Sequence, residues 1–118
     1  MNAATGIEAR RSKRVTPAAS TPAVDVMWDR VLGFVQDISS GGLKLLAHRP
    51  LVHDGLYQLQ LPLQLGATQP EMIEAGVQVV SQHNGPEGGT LAGMRFIHLP
   101  KAHAQALNRW LAAQGASN

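Results

Sequence analysis

The chain has 118 residues, 44% hydrophobic and 15% charged, a composition that fits one globular domain with its own core and excludes a disordered chain. It contains no cysteine, which excludes disulfides, thiolate metal sites and cysteine nucleophiles. Net charge is only +2, but four of the ten basic residues, Arg10, Arg11, Lys13 and Arg14, fall within five positions while the acids are scattered; a local positive patch on a nearly neutral body points to a compact anionic partner and away from a nucleic-acid polymer, which needs a basic stripe across the fold.

Residues 1–9 are small and polar and predict a disordered N-terminus. No apolar stretch follows the basic cluster, which argues against a signal peptide, and no run approaches the ~18 apolar residues of a membrane span. A cytoplasmic location is expected. Thr16 to Pro22 reads as an extended connector, because each proline biases itself and its predecessor away from helix.

From Ala23 the pattern becomes β: Val24, Val26 and Trp28 alternate with Asp25 and Met27, so Trp28 is expected on a strand. Arg30 to Ile38 forms a second extended run, with Gly33 marking a bulge or a close backbone approach. Ser40-Gly41-Gly42 is turn chemistry, and a strand resumes from Leu43 to Ala47. Tyr57, Leu59, Leu61 and Leu63 alternate with glutamines, the clearest period-2 signal in the chain, and Pro62 marks an edge or a strand terminus. Ile73, Ala75, Val77 and Val79 alternate again. Asn84 to Gly89 is a turn-rich link to a last strand from Thr90 to Ile97. Ala104, Leu107, Trp110 and Leu111 share one helical face, with Pro100 suited to the first helical turn and Gly115 to the position after its end. The fold class is all-β: about six short strands in a small closed barrel or sandwich, with a C-terminal helix capping an open end.

Two features carry chemistry. Arg10 and Arg14 offer planar forks of donors that suit phosphate oxygens and the O6 and N7 acceptors of guanine; the plainer reading is a solvated basic tail, since such a spacing arises by chance roughly 0.4 times at this composition. Asp37-x-Ser39-x-x-Gly42 is rarer, at roughly 0.02 chance occurrences. Its carboxylate can accept from base N–H groups, its hydroxyl can bond a phosphate or a base, and its glycines permit a sharp turn through positive φ. The plainer reading is a β-turn organised by its own Asp and Ser side chains.

Together, in this order and separated by a β segment, Arg10-Arg11-Ser12-Lys13-Arg14 and Asp37-Ile38-Ser39-Ser40-Gly41-Gly42 resemble the RxxxR and (D/N)xSxxG motifs of the PilZ family. Leu43-Lys44-Leu45 and Gly93-Met94-Arg95-Phe96 look like that family's strand sequences. The resemblance implies a six-stranded antiparallel β-barrel with a C-terminal α-helix over residues 10–115, binding cyclic di-GMP. It implies that Arg10 and Arg14 hold phosphates and guanines, that Asp37 and Ser39 contact guanine and nearby groups, that Gly41 and Gly42 allow close approach, and that Arg11 and Lys13 add field strength. It further implies that a mobile arginine loop orders on the ligand and signals to an effector protein in motility, pilus or exopolysaccharide machinery. The alternative is a ligand-independent interaction module of pilus or motility machinery.

No nucleophile with a base, metal cluster or paired carboxylates is present, so no enzyme and no cofactor is expected. The spacings of His48, His53, His83, His98 and His103 fit no zinc signature. Trp110 reads as core; for Arg95 a place at the ligand is weighed against that of a strand arginine reaching solvent, and the second is preferred as the commoner.

Overall fold

The computed structural model describes residues 13–64 and 69–114. Within them lie β1 (Pro22–Asp25), β2 (Arg30–Ile38), β3 (Gly42–Ala47), β4 (Leu56–Leu63), β5 (Glu71–Asn84), β6 (Thr90–His98) and α1 (Lys101–Ala113). The strands close into an antiparallel barrel in the order β1-β2-β3-β6-β5-β4.

Alternation decides which side chains enter the barrel. Leu43, Leu45 and Ala47 of β3, Leu59, Leu61 and Leu63 of β4, and Ile73, Ala75, Val77 and Val79 of β5 are all buried, as strict period-2 runs require. On β2 the buried hydrophobic side chains are Leu32, Val35 and Ile38, a spacing that no regular strand gives. Register shifts explain it: one lies between Val35 and Asp37 against β3, another between Ala23 and Val24 of β1. Each extra residue turns the following side chains to the opposite face.

Gly33 sits beside these irregularities and is a close-approach position. A Cβ there would lie 2.2 Å from the carbonyl oxygen of Leu46 on β3. Pro62 falls beyond the Val24–Gln60 pairing, where β1 no longer runs beside β4, so its missing N–H is tolerated. The strand containing Ile73 to Val79 extends to Glu71–Asn84, because its first part pairs with β4 and its later part with β6.

Two local expectations are corrected. The first strand ends at Asp25, and Val26 to Asp29 form a turn. Asp25 Oδ1 accepts the Met27 N–H at 3.0 Å, and Asp29 adopts φ 51°. An aspartate side chain that bonds backbone two residues on makes a turn of a segment whose hydropathy still alternates. Trp28 is therefore on a turn, 73% exposed. Pro100 caps α1 from the position before its first turn, and Gly115 lies outside the described residues.

The helix seals against the end of β4 and the start of β5. Ala106, Leu107, Trp110 and Leu111 join the barrel core, with Leu107 fully buried. Trp110 Nε1 donates to the Gln64 carbonyl at 3.0 Å, His103 Nδ1 accepts the Glu74 N–H at 3.1 Å, and Arg109 pairs with Glu71 at 3.3 Å. Trp110 is core, as its helical spacing predicts.

Gly33 and Gly88 separate two reasons for glycine. Gly88 has φ +77° and open space around it. Gly88→Ala is expected to cost about 1–2 kcal/mol through backbone strain alone. Gly33→Ala should cost more, above about 3 kcal/mol, because backbone and not a side chain must move. Urea unfolding of both variants checks the ranking.

Candidate functional site

The chain ahead of the connector is tied to the barrel by backbone. Val15 and Ile38 exchange both hydrogen bonds of an antiparallel bridge, each 2.9 Å. This lays residue 14 beside the end of β2, and Arg14 Nε donates to Asp37 Oδ1 at 2.6 Å. The pair is partly open to solvent, with side-chain exposures of 46% for Arg14 and 20% for Asp37. Arg14 and Asp37, separate in sequence, thus meet at one point. Arg10 and Arg11 lie outside the described residues.

The turn after Asp37 is held by its own atoms. The Ser39 N–H donates to the Gly42 carbonyl at 2.8 Å, and Ser39 Oγ accepts the Gly41 N–H at 3.2 Å. The same hydroxyl lies 3.4 Å from the Gly42 carbonyl, as a long donor. Ser39 is 1% exposed. Its hydroxyl is engaged by the turn. The Gly41 carbonyl accepts the Phe96 N–H at 3.0 Å and ties the turn to β6.

Gly42 has a different reason from the one read in the sequence. Among the described glycines, positive φ occurs at Gly88, not in this turn. A Cβ on Gly42 would instead lie 2.1 Å from the Met94 carbonyl oxygen and 3.0 Å from the Cα of Arg95. Only a glycine lets β3 approach β6 here.

Register adds two cations that spacing alone did not assign. Lys44 is the cross-strand partner of Asp37, and Arg95 is that of Gly42. Both are exposed. Arg95 reaches solvent, as expected of a strand arginine, but does so beside the turn, with Nε and Nη2 donating to Gln78 Oε1 at 2.9 and 2.7 Å. The signal for both lay in the β2–β3 and β3–β6 pairings, which no local pattern encodes. One carboxylate acceptor thus holds Arg14 and has Lys44 opposite it across the strands, while Arg95 stands across from Gly42 with its guanidinium turned to Gln78 on β5; the arrangement suits an anion carrying N–H donors of its own. Among the described residues, no group of histidines and acids is arranged to hold a metal ion.

The sequence matches the PilZ domain family over residues 8–113. A search of curated protein sequences found no match. Among solved structures, the chain is similar to the Bacillus subtilis inhibitor of motility MotI/DgrA, with TM-score 0.75 and 16% identity over 93% of this chain and 52% of that one. It is similar to Escherichia coli YcgR in complex with c-di-GMP, with TM-score 0.70 and 16% identity over 92% of this chain and 47% of that one. It is also similar to the separate PilZ domain of Escherichia coli YcgR with c-di-GMP, with TM-score 0.64 and 15% identity over 92% and 93%. The chain thus spans about half the length of the first two proteins and nearly all of the third domain.

If Gly42 serves the barrel, its loss must show without any ligand. Gly42→Ala is expected to lower unfolding free energy by more than about 3 kcal/mol, as at Gly33, because here too backbone must move. A thermal or urea midpoint unchanged in ligand-free buffer would contradict that role.

Proposed function

Because the chain belongs to the PilZ domain family, we propose that it is a cyclic di-GMP receptor that passes ligand occupancy to a protein partner. PilZ domains are ligand-binding regulatory modules, not enzymes. The observation that carries the proposal is the meeting of Arg14 with Asp37, beside Lys44 and Arg95. The c-di-GMP complexes of YcgR share this fold and support the choice of ligand.

Arg14 and Asp37 satisfy each other. The ligand exchanges this contact for two of its own. Its phosphates and the O6 and N7 edge of guanine take the Arg14 guanidinium, and Asp37 turns to accept guanine N–H groups. Arg10 and Arg11 complete the grip from the residues just upstream. Lys44 and Arg95 raise the local potential for a dianion. Ser39, Gly41 and Gly42 act by holding the turn that presents Asp37. Since Val15 is already paired with Ile38, ordering is confined to residues ahead of Arg14. That limits an entropy cost of roughly 1–2 kcal/mol for each backbone fixed.

The role implies a cytoplasmic protein working on motility, pilus or exopolysaccharide machinery. No helix among the described residues is long and apolar enough to cross a membrane. The structural duties of Ser39 and Gly42 favour one competing reading, a barrel that keeps the turn for its fold and binds partners without ligand.

Calorimetry of the full chain with cyclic di-GMP separates the two. The receptor reading expects saturable, salt-weakened binding. Arg14→Ala and Asp37→Ala should each lose about 1.5–3 kcal/mol, roughly 10- to 150-fold in Kd. Absence of both heat and thermal shift at saturating ligand would leave the ligand-independent module.

A further inference from the structure

We infer that the β1–β2 turn and the loop before β4 form a second binding surface, which receives a segment of a partner protein presenting one arginine or lysine between apolar side chains. The inference does not depend on the identity of the ligand proposed above. Met27 and Trp28 are 77% and 73% exposed, and Val52 and Leu56 are both 66% exposed. These four line one cleft of about 300 Å³, and Val52 continues into a neighbouring cleft that also includes Val31. Large apolar side chains so exposed and so grouped mark interaction sites.

The floor of the cleft carries an unmet polar demand. Asp25 is part of its wall and is only 1% exposed. Oδ1 accepts the Met27 N–H at 3.0 Å, whereas Oδ2 is buried with no hydrogen-bond partner among the described residues. A buried acceptor left unsatisfied is costly, and a charged donor satisfies it best. An apolar side chain would fill the cleft and leave that cost in place. A guanidinium or ammonium group removes it, reaching Oδ2 as the exposed Met27 and Trp28 side chains repack around it. Trp28 adds an indole face on which an arginine can stack. The exposed carboxylates of Asp29 and Asp54 reinforce the preference against Arg30, the cation in the cleft wall.

A cleft with one charged anchor fits a transient partner. It is also separate from the Arg14–Asp37 site. Arg30 and Asp37 stand near opposite ends of β2, roughly 23 Å apart along the strand.

The test presents the labelled full chain to a positional-scanning array of immobilised short peptides. The expected result is selection of arginine, then lysine, at one position with apolar neighbours. Citrulline, the neutral isostere, should bind about tenfold less at that position. Trp28→Ser, a change at an exposed residue, should reduce binding about tenfold with an unchanged unfolding midpoint. Asp25→Asn should abolish the preference for arginine over citrulline; if that variant unfolds, the citrulline comparison on the native chain stands alone. Equal binding of citrulline or acidic peptides, or binding that survives Trp28→Ser, overturns the inference. So does reversible dimerisation of the native chain in sedimentation that Trp28→Ser abolishes, since the occupant would then be a second copy.

Discussion

The barrel is closed by its shortest strand, and the placement of both candidate surfaces depends on that closure. β1 has four residues and pairs with β2 on one side and β4 on the other. Contact with β4 is limited to the Val24–Gln60 and Asp25–Leu59 pairs, followed by the Val26 N–H donating to the Gln58 carbonyl at 2.9 Å. Without it, β2 and β4 would be the open edges of a five-stranded sheet. Closure also turns Ala23 and Asp25 inward. The carboxylate survives burial because one oxygen organises the turn that follows. The chain leaves β1 through that turn, exposing Met27 and Trp28. It enters β1 from the connector whose far end is Val15 and Arg14. The anchor of the arginine segment and the apolar turn therefore flank the same four residues.

The Arg14–Asp37 pair is well suited to exchange. Both side chains touch solvent, so their attraction is screened and contributes roughly 0–1 kcal/mol. Breaking it for a dianion costs little, whereas a fully buried pair would resist because each charge would be left without water or partner. The backbone bridge at Val15 does the positioning, and the ion pair satisfies two polar groups that the proposed ligand would take over. Lys44 and Arg95 stay on the outer face of β3 and β6, so the field around Asp37 remains positive when Arg14 moves.

The sequence was readable where strands are regular. β3, β4 and the inward set of β5 follow from alternation, and α1 from its 3.6-residue face. It misled where backbone geometry breaks the period. The shifts at Ala23–Val24 and Val35–Asp37 reverse which face a residue occupies, and the Asp25 side chain ends β1 inside a segment that still alternates. The Arg14–Asp37 meeting was legible as two motifs in order. Lys44 was not, because its nearness to the turn arises from cross-strand register, a non-local property. The reason for Gly42 was hidden in the same way, since the atom it must avoid belongs to Met94 on β6.

That last point changes how the Asp37-Ser39-Gly42 pattern is weighed. Gly42 is required by the approach of β3 to β6, and Ser39 by the hydrogen bonds of the turn. A barrel of this shape needs both whether or not it binds a nucleotide. They identify the fold strongly and the ligand weakly. Asp37 is different. Its carboxylate is 20% exposed and accepts from the Arg14 side chain, whereas the turn behind it is closed by Ser39 and Gly42. The barrel does not depend on a carboxylate at this point, so its presence beside Arg14, Lys44 and Arg95 is the part of the pattern that speaks for a ligand. For the proposed receptor, the information about the ligand thus sits in Arg14 and Asp37 with Lys44 opposite them, and the rarer Ser-Gly framework is the scaffold that aims the carboxylate.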